Sequence, residues 1–68
     1  MTASAADYHL TRREADVARL LLGGLPNKHI GRLLHIEEQS VANHVTRIIA
    51  KTRTMNRTQA AFRLAGYR

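Results

Sequence analysis

Gln39, Asn43 and Thr46 recur at four- and three-residue spacing, and Ala50 continues the series. In a helix that spacing puts all four on one side. The two amides and the hydroxyl both donate and accept hydrogen bonds, and the small side chains let a helix approach a surface closely. That chemistry suits the edges of base pairs in a major groove. Arg47 and Lys51 flank the same side, and Arg53 follows. Cations so placed reach the phosphates on either side of a groove. A merely solvated helix face would more often carry Glu, Lys and Gln. The opposite side holds Val41, Val45, Ile48 and Ile49, spaced i, i+4, i+7, i+8, which is a stripe to bury. The stretch from Gln39 to Arg53 therefore reads as an amphipathic helix with a short, polar, cation-bordered outer face.

Other chemistry-bearing residues lead nowhere comparable. Ser40 and His44 stand four apart and could touch on a helix. A nucleophile also needs an oriented base and an oxyanion hole in a cleft, and so small a domain offers little concavity. His29 and His35 lack partners at metal-ligand spacing. There is no cysteine, so disulfides and thiolate metal sites are excluded. No catalytic residue, metal or cofactor is expected. His44 lies at the edge of the apolar stripe and is expected to be packed and hydrogen-bonded.

The charge distribution says more than the formal net charge of +6. All five acids, Asp7, Glu14, Asp16, Glu37 and Glu38, precede Gln39 and are balanced by five cations, Arg12, Arg13, Arg19, Lys28 and Arg32. From Gln39 onward stand Arg47, Lys51, Arg53, Arg57, Arg63 and Arg68, with no acid. A basic, acid-free half favours a polyanionic partner. A membrane surface is also polyanionic, but the outer face at 39–53 has no large apolar or aromatic residue to insert. No apolar run approaches membrane-spanning length and no signal peptide is visible. The chain reads as cytoplasmic.

The elements that must position these residues are all helical. Sixty-eight residues make one small domain, near the lower limit for folding without staples. Residues 1–9 look like a loose arm or the end of a linker, with the domain over 10–68. Thr11 and Glu14 form a T-x-x-E capping box, and Val17, Ala18, Leu21 and Leu22 follow as a helical stripe until Gly23-Gly24. Pro26-Asn27 opens a short helix to about Leu34, with Ile30, Leu33 and Leu34 as its apolar side. Gly31 stands inside it at a cost of about 1 kcal/mol against alanine, which close packing on the next helix would explain. His35 and Ile36 make the turn, and Glu37-Glu38 suit the positive N-terminus of the central helix, about 38–52. Asn56 and Gln59 resemble a second capping box before an alanine-rich helix, 57–65, ended by Gly66. The result is an all-α domain of four helices in which the second and third form a helix-turn-helix. The last helix carries more apolar surface than one small core hides, so Ala61, Leu64 and Ala65 are candidates for pairing with a second copy.

Several short motifs stand in a recognisable order: LTRRE at 10–14, Gly-Leu-x-Asn-Lys at 24–28, Ile30, Ser40-Val41, Asn43-His44, Ile48, Lys51 and NRTQAA at 56–61. Together they resemble the DNA-binding domain of the LuxR/GerE-type bacterial regulators over about residues 10–66. The resemblance implies four helices, the third in the major groove of double-stranded DNA and the fourth often the homodimer contact. It also implies a role in transcription; RNA polymerase is a further candidate partner. Members commonly sit at the C-terminus of response regulators or autoinducer receptors. Ala42 stands where the family usually has Lys, His35 where it has Gly, and Glu37 where Ser caps the third helix. Thr52, Arg53 and Thr54 replace a usual Leu, Gly and aliphatic residue.

Position then assigns the candidates. Asn43 and Thr46 lead for base contacts, with Gln39 and Ala42 next, Ala42 offering only a methyl. Asn27, Lys28, Ser40, Arg47, Lys51, Arg53, Arg57 and Thr58 are phosphate candidates. Asn27-Lys28 and Arg57-Thr58 also lie at helix N-termini, where backbone N–H groups hold phosphates. The competing reading is a protein-interaction module that binds an acidic partner through the basic C-terminal half.

Overall fold

The structure, a computed structural model, describes residues 8–66. It contains four helices: α1 (Arg12–Leu22), α2 (Asn27–Leu34), α3 (Glu38–Thr52) and α4 (Arg57–Leu64). No strand occurs among the described residues. The expected arm falls largely outside them, as do Asp7 and Arg68. Its last two residues are described, and Tyr8 packs half-buried against the core. The folded part therefore begins ahead of Leu10.

The helix limits follow from local chemistry. At α1 both capping-box bonds form: Glu14 N donates to Thr11 Oγ1 at 3.1 Å, and Thr11 N donates to Glu14 Oε1 at 2.9 Å. At α2 Pro26 is the N-cap, and its carbonyl accepts from His29 and Ile30. At α4 the second box is altered. Asn56 Oδ1 accepts from Gln59 N at 2.9 Å, but Gln59 Oε1 accepts from Met55 N rather than from Asn56. The longer amide reaches one residue further back than the expected partner.

Three helices end the same way. Gly24, His35 and Arg53 are left-handed, with φ of 79°, 57° and 56°. The next residue's N–H then bonds back to the final turn, as Ile36 does to Gly31 O at 3.0 Å and Thr54 to Ile49 O at 3.1 Å. The two non-glycine cases stand where the resemblance calls for glycine.

The core joins Val17, Ala18 and Leu21 of α1, Ile30 of α2, Val41, Val45 and Ile48 of α3, and Ala60 and Leu64 of α4. Central α3 packs against each of the other three helices. Gly31 is needed where α2 meets the turn: a Cβ there would lie 2.7 Å from the Ile36 carbonyl oxygen and 3.6 Å from Val41 Cγ2. Close approach thus explains this glycine, and the nearest atom belongs to the turn. Thr52, buried where an aliphatic residue was the family's choice, donates to Ile48 O at 2.8 Å, and its hydroxyl pairs with that of Thr54 at 3.0 Å. The buried Thr52 hydroxyl is therefore satisfied, which burial demands.

Candidate nucleic-acid interface

Burying Val41, Val45 and Ile48 leaves the opposite side of α3 outward. Gln39, Asn43, Thr46, Arg47 and Ala50 are exposed, and Ala42 is half-buried beside them. No large apolar side chain interrupts this face. Its side chains are linked: Gln39 Nε2 donates to Asn43 Oδ1 at 3.2 Å, and Thr46 Oγ1 donates to the Ala42 carbonyl at 3.0 Å. Arg53 projects from the left-handed residue that closes the helix and is exposed. Lys28 and Thr58 are also exposed, each in the first turn of its helix, and Ser40 is half-buried at the start of α3.

Three of the phosphate candidates have partners within the fold. Lys51 Nζ lies 2.6 Å from Glu14 Oε1 and donates to the His9 carbonyl at 3.3 Å. Glu14 is only 2% exposed. Burial alone would raise its pKa. The hydrogen bonds from Lys51 and Thr11, with the Lys51 charge, outweigh that and hold the carboxyl below its usual range. Lys51 is thus a tie between the last turn of α3 and the first of α1. Arg57 donates to Asn27 Oδ1 and to the Leu25 carbonyl, the latter at 2.6 Å. Arg57 and Asn27 therefore join the N-termini of α4 and α2. Lys51 was read as a free cation because its partner is 37 positions away in the chain, beyond any local pattern.

Two further expectations change. His44 Nδ1 is buried and has no hydrogen-bond partner among the described residues, so the expected bond does not form there. Leu64 is only 4% exposed and belongs to the core, which removes it from a face that could pair with another copy. Ala61 and Ala65 are half-buried beside exposed Phe62. With Leu22 of α1 they line a surface groove of about 400 Å³. Phe62 is the residue the sequence reading passed over. Its outward position follows from the helical frame, since Ala60 and Leu64 point inward.

No group of three or more metal-ligating side chains occurs among the described residues, and no helix there is long and apolar enough to cross a membrane.

The profile of bacterial regulatory proteins of the LuxR family, GerE, matches residues 8–64. The transcriptional regulatory protein DegU of Brevibacillus brevis is 47% identical over 51 residues, covering 75% of this chain and 22% of DegU. The nitrate/nitrite response regulator protein NarL of Escherichia coli K12 is 44% identical over 52 residues, 76% of this chain and 24% of NarL. The LiaR transcriptional regulatory protein of Bacillus subtilis is 42% identical over 52 residues, 76% of this chain and 25% of LiaR. The chain thus spans about a quarter of the length of these curated relatives. No solved structure matches it. With the profile covering nearly the whole chain and the four helices in place, the chain belongs to the LuxR family of bacterial regulatory proteins, as a DNA-binding helix-turn-helix domain.

Proposed function

We propose that the domain reads double-stranded DNA by placing α3 in the major groove, and that two copies bind two half-sites. The observation that carries this is the outer face of α3: exposed Gln39, Asn43, Thr46 and Ala50, with cations at its border and no bulky apolar residue. Asn43, Thr46, Gln39 and Ala42 meet base edges. Phosphate contacts come from Lys28, Ser40, Arg47, Arg53 and Thr58, the two helix N-termini adding backbone N–H groups. Lys51, Arg57 and Asn27 hold the scaffold. The pairing surface is the α4 face of Ala61, Phe62 and Ala65 beside Leu22. Pairing through the last helix sets two recognition helices about one DNA turn apart.

The test is selection of sites from a random duplex pool at roughly physiological salt. A motif with two related half-sites is the expected result. DNA recovered without a motif would mean binding by charge alone, and would favour an acidic protein partner for the basic half.

A further inference from the structure

Arg57, the first residue of α4, holds the start of α2 through both ends of its guanidinium. Nη1 donates to Asn27 Oδ1, and Nη2 donates to the Leu25 carbonyl at 2.6 Å. A guanidinium has five N–H donors and no acceptor. The atom of Asn27 that meets it is therefore the carbonyl oxygen, since the reversed amide would set N–H against N–H. This fixes where the other end of the amide lies. Asn27 is half-buried, and Arg57 is the one hydrogen-bond partner of its side chain among the described residues. The buried side-chain nitrogen or oxygen left without a partner among those residues is His44 Nδ1 alone, so Asn27 Nδ2 is open to solvent. Exposed Lys28 stands next to it in the chain.

Resting on the reading that α3 enters the major groove, we propose that Asn27 donates its outward N–H groups to a DNA phosphate, and that Arg57 is the positioning residue that keeps them outward. When the recognition helix of a helix-turn-helix lies in the groove, the helix before it crosses the sugar-phosphate backbone. That helix is α2, and Asn27 is its first residue. A phosphate oxygen only accepts. An amide free to turn presents its carbonyl as readily as its amine, and the carbonyl repels a phosphate. Held at its oxygen by Arg57, the amide keeps the amine turned to solvent. One end of Asn27 thus serves the scaffold and the other serves the DNA. The contact is neutral, so it adds affinity without adding to the salt dependence. A phosphate carries no sequence information directly, so the contact favours no sequence over another. Arg57 acts through Asn27 and touches no phosphate itself.

The test is a double-mutant cycle on DNA affinity, with Asn27→Ala, Arg57→Met and the pair together in the 68-residue chain. Each is measured on the duplex recovered by site selection and on a random duplex of equal length. Asn27→Ala should weaken both duplexes alike by about tenfold, the scale of a hydrogen bond to a charged group, with the salt slope unchanged. Arg57→Met should weaken both by a smaller factor, again with the slope unchanged, and should add no further loss once Asn27 is alanine. A role of Arg57 in stability or in pairing alone would add to the loss from Asn27, and additive losses overturn the proposal. So does a slope reduced by about 0.9 in Arg57→Met, which would put Arg57 itself on a phosphate. Full affinity in Asn27→Ala overturns it as well. Asn27→Asp covers the case of a variant that fails to fold, because its carboxylate still accepts from Arg57 but offers the DNA no donor. It should keep the thermal midpoint of the unaltered chain and lose at least as much affinity as Asn27→Ala; undiminished binding there also overturns the proposal. All these results leave α3 in the groove, because the unaltered chain still reads a motif. Failure of the unaltered chain to enrich any motif overturns the groove reading itself, and the role of Asn27 with it.

Discussion

Gly31 and His35 sit four residues apart and make opposite demands on the same turn. At Gly31, alanine would gain about 1 kcal/mol of helix propensity. Its Cβ would also press to 2.7 Å from the Ile36 carbonyl oxygen, a backbone atom that yields only if the turn moves. Overpacking of this kind costs about 1–3 kcal/mol, and contact this short lies at the upper end. Gly31→Ala should therefore lower stability by about 1–2 kcal/mol, seen as a lower urea midpoint with the slope unchanged. At His35 the left-handed backbone costs about 1–2 kcal/mol for a residue with a Cβ. Glycine removes that but gives back about 0.4–1 kcal/mol through the freer unfolded chain. His35→Gly should raise stability by about 0.5–1 kcal/mol, and a fall would mean that the imidazole makes a bond worth more than the strain. Both residues were visible in the sequence, one as a glycine inside a helix and the other as a non-glycine in a glycine position. Lys51 was not, because a side chain's direction depends on what lies across the fold.

At the scale of elements, α3 was the most legible part of the chain. Its apolar period and the acids at its start fix a helix over Glu38–Thr52, and the structure has those limits. The link into α4 was less legible, because Thr52, Arg53 and Thr54 replace apolar residues and glycine with groups that need partners. The structure supplies hydroxyl-to-carbonyl and hydroxyl-to-hydroxyl bonds, local geometry that no periodicity encodes. Arg53 remains the unexplained member: an exposed arginine in a left-handed conformation with no ion pair among the described residues. Strain retained at an exposed position suits a functional side chain. Arg53→Gly should therefore separate two properties. The helix end relaxes and thermal stability rises by about 0.5–1 kcal/mol. DNA binding weakens for every sequence alike, and the slope of log K against log salt shrinks by about 0.9, the value of one phosphate. Unchanged affinity and slope would leave Arg53 without a role at the DNA.

Over the whole molecule, a charge-balanced half and a basic half are joined at one buried carboxylate. Glu14 caps α1 through Thr11 and receives Lys51 from the last turn of α3, so the acid-containing half holds the basic reading helix in place. Its pKa in the folded chain is depressed: burial acts to raise it, and the bonds from Lys51 and Thr11 outweigh that effect. The unfolded chain thus binds this proton more readily than the folded one. The stability gained from the charged form is complete above the ordinary glutamate pKa, about 4.3, and is lost as pH falls through the lower folded value. Glu14→Gln should lower stability near pH 7 by about 2 kcal/mol, the scale of a hydrogen bond to a charged group. It should also flatten the loss of stability on acidification below about pH 4.3, measured as urea midpoints along a pH series. An acid limb as steep as before would overturn this role for Glu14. Lys51→Met gives a related result: without the cation the Glu14 pKa moves up toward its ordinary value, and the loss of stability on acidification shrinks. Because Lys51 points into the fold, this variant should leave the salt slope of DNA binding unchanged. A slope reduced by about 0.9 would return Lys51 to the phosphates.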